Sequence, residues 1–209
     1  MHIAYEIHIE LDDLKPVIYR DFLVEPDISL PSLHHLIQTA FDWEDMHLHG
    51  FALPLHEESF YRVPADRCYN PVLPFDGDEA EPTQDEEDFT LKDLLQTPKS
   101  KLLYMYDFGD DWGHTLTLRK IVETDLPLPY LLKAEHGSPP EDCGGAFSYL
   151  HLSEAWHDKK HPDHAEAKDI LGRQTPGLLN LEKLQKAIQS LQPRTSDKAG
   201  VAGMSNKTK

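Results

Sequence analysis

Ile3-Ala-Tyr-Glu-Ile-His-Ile-Glu-Leu11 is the stretch on which the fold turns. Ile3, Tyr5, Ile7, Ile9 and Leu11 alternate with Ala4, Glu6, His8 and Glu10, so a strand here buries one face and leaves the other polar. The neighbouring sequence supplies a partner. Asp12-Asp13-Leu14-Lys15-Pro16 reads as a turn and residues 17–24 as the second strand of a hairpin. A helix follows, with Ser29 as its N-cap and Leu33, Leu36, Ile37, Ala40 and Phe41 at helical spacing. Residues 47–53, 101–108 and 114–122 read as further strands, and Thr90-Leu-Lys-Asp93 as a capping box opening a short helix. The Pro- and Gly-rich span 127–145 reads as a shaped loop. Beyond it, residues 153–160, 163–171 and 180–191 carry helical patterning, with Gly172 as a C-terminal stop.

This order predicts an α+β fold with an antiparallel-dominated, β-grasp-like sheet, one main packed helix and a C-terminal helical extension. At 209 residues the chain suits a single domain, here placed over residues 1–192, with the helical part over 150–192. Residues 76–88 hold eight acids and no base, which predicts an exposed acidic loop or insert. The Ser-, Gly-, Ala- and Lys-rich residues 193–209 read as a disordered tail.

A net charge of −17 opposes approach to phosphate backbones, and no basic cluster stands inside the folded region, so direct nucleic-acid binding is not expected. No run of 18 apolar residues exists to span a membrane, and the strand-like start lacks a secretory leader pattern. Cys68 and Cys143 stand far apart with no Cys-x-x-Cys spacing, which fits a reducing cytoplasm better than a disulfide framework.

Four blocks carry a resemblance: Lys15-Pro-Val-Ile-Tyr-Arg20; Leu33-His-His-Leu-Ile-Gln38 with Phe41-Asp-Trp43 and His47-Leu-His-Gly-Phe51; Tyr106-Asp-Phe-Gly-Asp-Asp-Trp-Gly-His114; and Pro139-Pro-Glu-Asp-Cys-Gly-Gly145. On these the chain resembles the plasmid pRiA4b ORF-3-like family, whose members include passenger proteins of bacterial insertion elements. The resemblance implies a small cytoplasmic domain associated with mobile elements, and it brings no catalytic residues with it. Two positions depart from the family pattern. Tyr19 stands where a Trp is usual, and Gly137-Ser138 where a Cys often precedes the double proline.

Site candidates therefore rest on residue chemistry. Asp107, Asp110, Asp111 and His114 put carboxylates and an imidazole within eight residues, beside Trp112. Such a turn can hold a divalent metal, or its aspartates can simply cap backbone N–H groups. His47 and His49, two apart on an expected strand, offer a metal pair or a hydrogen-bonded edge pair; with Asp110 and His114 they make the metal candidates. Glu141 and Asp142 are presented by a proline-stiffened loop, and Cys143 reads either as a nucleophile or as a buried structural thiol. Arg20, amid apolar neighbours, calls for a carboxylate partner such as Asp107, Asp110 or Glu141. The binding candidates are thus Arg20, Asp107, Asp110, Asp111, Trp112, Glu141 and Asp142. Two functions follow. One is a binding or adaptor module gripping a protein or small cationic ligand. The other is a divalent-metal hydrolase drawing on the Asp/His cluster around 107–114.

Overall fold

The computed structural model describes residues 1–71, 83–172 and 175–191. Strand β1 (His2–Leu11) lies between β2 (Ile18–Val24) and β7 (Trp112–Thr124), antiparallel to both. The sheet has eight strands in the order β5-β4-β3-β6-β7-β1-β2-β8, where β3 is His49–Ala52, β4 Cys68–Asn70, β5 Gln84–Asp85, β6 Lys101–Tyr106 and β8 Tyr130–Glu135. All pairings are antiparallel except β4 with β5. The expected hairpin and packed helix are present, within a sheet that extends well past them on both sides.

Helix α1 (Leu30–Phe41) crosses the apolar face of this sheet, and Leu33, Leu36, Ile37, Ala40 and Phe41 are all buried. Ser29 caps it as expected, its side chain accepting from Ser32 N, and Asp42 ends it in the left-handed region. Short helix α2 (Leu91–Leu94) carries the Thr90–Asp93 capping box. The C-terminal part holds α3 (Gly145–His157), α4 (His164–Ile170) and α5 (Leu181–Leu191). Helix α5 seats Leu184 and Ile188 in the main core, next to α1. Gly172 follows α4 at φ 76°, a backbone conformation that favours glycine at a helix stop. No helix among the described residues is long and apolar enough to cross a membrane.

Two expectations need correction. Residues 127–145 are not loop throughout, because β8 pairs with β2 at the sheet edge and places Ala134 opposite Arg20. The acidic span is not wholly exposed either. Its residues 76–82 and the tail 193–209 lie outside the described residues, but Gln84–Asp85 form a strand, Glu86–Asp88 a 3₁₀ turn, and Glu86 is buried. A carboxylate enters the interior only where a donor meets it, and that donor is described below.

The strand pattern has a measurable consequence. Ile9 is fully buried while Ile3, on the same nominal face, is 48 % exposed. Ile9→Ala is expected to cost about 2–5 kcal/mol in urea denaturation, and Ile3→Ala to stay within about 0.5 kcal/mol.

Candidate functional site

Three loops meet at one end of the sheet: residues 42–48 between α1 and β3, 107–111 between β6 and β7, and 136–144 between β8 and α3. Carboxylates join them. Glu141 accepts from Tyr106 Oη through Oε1 and from Glu44 N through Oε2, the latter at 2.9 Å. Tyr106 Oη in turn accepts from Met46 N at 2.9 Å. Trp43 Nε1 donates to Pro139 O at 3.0 Å. Asp110 Oδ2 accepts from Gly144 N at 2.9 Å. Gly145 must lack a side chain, since a Cβ there would stand 2.4 Å from the Asp110 carbonyl oxygen.

Within the 107–111 turn, Asp107 Oδ1 accepts from Gly109 N at 2.9 Å and Asp110 N at 3.3 Å, so this carboxylate shapes its own turn. Asp107 and Asp111 both take φ 55°, which Asp tolerates better than most side chains. Asp111 is exposed and accepts from Tyr61 Oη. Trp112 is buried against Trp43, with centroids 5.9 Å apart, and belongs to the core.

The structure sends the four metal candidates to separate surroundings. His47 lies before β3, not on it. Its Nε2 stands 3.0 Å from Asp142 Oδ1 and 3.6 Å from Asp107 Oδ2. His49 begins β3, and its Nε2 meets buried Glu86 Oε2 at 3.0 Å. His114 is enclosed by Phe41, Trp43 and Tyr104, and its Nδ1 donates to Trp112 O at 3.0 Å. Burial holds this imidazole's pKa down at about 3. Asp110 holds Gly144, as above. Of the four, only His47 belongs to a group of side chains whose ligand atoms come together in the described residues, and its companions there are Asp107 and Asp142.

Arg20 also departs from expectation. It is 1 % exposed and has no carboxylate partner among the described residues. Backbone carbonyls take that role: Nε donates to Ala40 O at 2.9 Å, and Nη1 to Tyr19 O at 2.8 Å and Glu135 O at 3.0 Å. Nη2 donates to Ser138 Oγ at 3.2 Å, and the guanidinium stacks over Phe41. Desolvation lowers its pKa to about 10, which leaves it charged at neutral pH. Arg20 thus ties β2, β8, the end of α1 and the 136–144 loop together. Cys143 is buried and desolvation raises its pKa to about 12, against a nucleophilic role.

Sequence reasoning missed a buried polar network beside this end of the sheet. His34 and His49 stack with centroids 3.5 Å apart and planes 6° from parallel. His34 Nε2 donates to Asp45 Oδ1 at 2.9 Å, while its Nδ1 accepts from Tyr104 Oη at 2.8 Å. Gln38 Nε2 donates to the same hydroxyl at 3.0 Å, and Gln38 Oε1 accepts from Asp45 N at 3.2 Å. The available signal was His34 and Gln38, four apart on the helix face that also carries Leu33 and Ile37.

A model of the family described as plasmid pRiA4b ORF-3-like protein matches residues 3–187. The chain belongs to this family. It is 29 % identical over 205 residues to the uncharacterized protein y4hQ of Sinorhizobium fredii, a match covering 92 % of this chain and 94 % of the relative. Among solved structures it is similar to a protein of unknown function, MM3350, from Methanosarcina mazei. That likeness has a TM-score of 0.71 at 25 % identity and covers 89 % of this chain and 97 % of the other. The family match thus runs through all three joined loops.

The network predicts a pH dependence. Burial, then the neighbouring His49, lowers the pKa of His34 from 6.5 to about 4, and burial lowers His114 to about 3. Between these values and 6.5 the unfolded chain binds more protons than the folded one, so stability falls as pH drops. Asp12, raised by burial to about 6, acts in the opposite sense between pH 6 and 3.8. Urea denaturation from pH 7 to 4.5 is expected to show a net loss of stability. His114→Phe should reduce its pH slope by about one proton, and Asp12→Asn should steepen it.

Proposed function

We infer that this chain is a non-catalytic binding or adaptor module of a mobile element, whose joined loops grip a basic segment of a partner protein. The observation that carries this reading is a division of labour among the carboxylates. Asp107, Asp110 and Glu141 are bonded to backbone N–H groups and hold the loops in place. Asp111 and Asp142 project outward, and Asp142's side chain is 75 % exposed.

Large apolar side chains accompany them. Met46 and Leu48 flank His47, Phe108 follows Asp107, and Phe147 stands near the start of α3 at 88 % exposure. Exposed apolar surface rimmed by charge is characteristic of protein interaction sites. Its negative sign selects Lys- and Arg-bearing partners and speeds their approach. The family's plasmid association supports the mobile-element context. The hydrolase reading draws less support, because among its expected ligands His49 and Asp110 are bonded elsewhere and His114 is enclosed by aromatic rings, which leaves His47, Asp107 and Asp142 as the three that come together among the described residues.

The test is selection against a displayed peptide library, followed by titration of the recovered peptides. Lys/Arg-rich sequences with at least one large apolar residue are expected. Their affinity should fall about tenfold in Phe147→Ser and weaken with added salt and in Asp111→Asn. Thermal midpoints should stay close to the parent, since Phe147 and Asp111 are exposed. Recovered peptides that lack basic residues, or that bind both variants as well as the parent, would refute the reading.

A further inference from the structure

The His47 imidazole poses a question that the binding surface leaves open. Its Nε2 has almost no accessible surface, yet it makes no hydrogen bond, although two carboxylate oxygens lie 3.0 and 3.6 Å away. Neither approach has hydrogen-bond geometry. A buried nitrogen in that condition forfeits its solvation without replacement.

The three atoms stand in a relation that a metal ion would satisfy. His47 Nε2, Asp107 Oδ2 and Asp142 Oδ1 form a group lying within 4.8 Å of one another. Ligands about 2.0–2.2 Å from one ion stand about 2.8–3.6 Å apart at tetrahedral or octahedral angles. Both measured separations from Nε2 fall in that range. Asp107's other oxygen is held by Gly109 N and Asp110 N, which leaves Oδ2 turned to this point. Such bonds orient a ligating carboxylate and raise the site's affinity.

We propose that His47, Asp107 and Asp142 form a binding site for a divalent transition-metal ion, with one imidazole and two carboxylate ligands. The donor set selects among metals. The imidazole favours Fe²⁺ to Zn²⁺ over Mg²⁺ and Ca²⁺, the two carboxylates also admit Mn²⁺, and the lack of thiolate disfavours Cu⁺. Two other clusters have similar composition but lack a buried nitrogen without a hydrogen bond. In His34, His35 and Asp45, both His34 nitrogens are bonded, and His35 stands 3.9 Å from Asp45. In His151, His161 and Asp163, His161 Nδ1 accepts from Asp163 N and His151 Nε2 already meets Asp163 Oδ2 at 3.0 Å. The ion ties the 42–48, 107–111 and 136–144 loops together at one further point. The proposal does not depend on the partner reading, because metal uptake is read on the isolated chain.

The experiment is calorimetric titration of Zn²⁺ and Mn²⁺ into full-length, untagged protein stripped with chelator. About one ion per chain is expected. Affinity should fall at least about tenfold in Asp142→Asn and further in His47→Gln, and remain unchanged in Asp163→Asn. Asp142's exposure makes its variant a conservative one for folding. Mn²⁺ broadening of histidine ring signals tests the wild-type chain without any substitution, and His47 should broaden first. The proposal is overturned by wild type taking up no stoichiometric metal, by uptake that survives both site variants, or by broadening centred on His151 and His161.

Discussion

Glu141 is the fastening on which the candidate site depends. One carboxylate oxygen receives the Tyr106 hydroxyl at the end of β6, and the other receives the Glu44 amide just past α1. The 136–144 loop is also seated by Cys143 in the main core and by Pro139 against Trp43, and Glu141 adds the bonds that reach β6 and the end of α1. Bonds to an ionised acceptor are stronger than neutral ones, which suits them to holding irregular backbone in place. Desolvation and the Glu141 bond together push Tyr106's pKa well above its usual value, so the phenol remains a donor across the physiological range. Asp110 repeats the device from the other side, gripping Gly144. Arg20 completes it from below by donating to Ser138. The outcome is one continuous surface assembled from three segments far apart in the chain.

The buried histidine pair shows a related economy. Burying imidazole, amide and carboxylate groups is costly unless each finds a partner. Here Gln38, Tyr104, His34 and Asp45 form a closed sequence of donors and acceptors, and Glu86 answers His49. Stacking at 3.5 Å adds contact while both rings are neutral and repulsion when both are charged. Satisfied networks of this kind specify one arrangement of the groups they join. What this one specifies is the seating of Glu86 beside β3, and with it the course of the chain through β5.

Much of the fold was legible because it follows local rules. The alternation of Ile7, Ile9 and Leu11 fixes a buried strand face, and in β7 the same alternation sets His114 on the buried face with Leu116 and Leu118. Ser29, the Thr90–Asp93 pair and Gly172 mark helix ends by their own chemistry. The site was less legible. His47 and His49 share a face only if both lie on a strand, and β3 begins at His49. His47 is therefore free to turn towards Asp142 while His49 turns towards Glu86. Arg20 finds carbonyls of Ala40 and Glu135, groups that every residue carries and no sequence pattern marks. Strand β8 hid in a span punctuated by prolines, which an edge strand tolerates outside its paired residues.

Charge connects these findings. A chain of net charge −17 carries self-repulsion, and the joined loops concentrate it: Glu44, Asp107, Asp110, Asp111, Glu141 and Asp142 all lie on them. Backbone amides relieve part of that repulsion at Asp107, Asp110 and Glu141. They do nothing for Asp142, whose exposed carboxylate approaches His47 without a hydrogen bond. Folding stability alone would favour a neutral or basic side chain there, because like charges at close range lower stability. A cation arriving from solvent, whether a metal ion or a lysine or arginine of a partner, reverses the sign of that term. The residual repulsion then becomes part of the driving force for binding, and it is centred on Asp142, the carboxylate that no backbone amide holds.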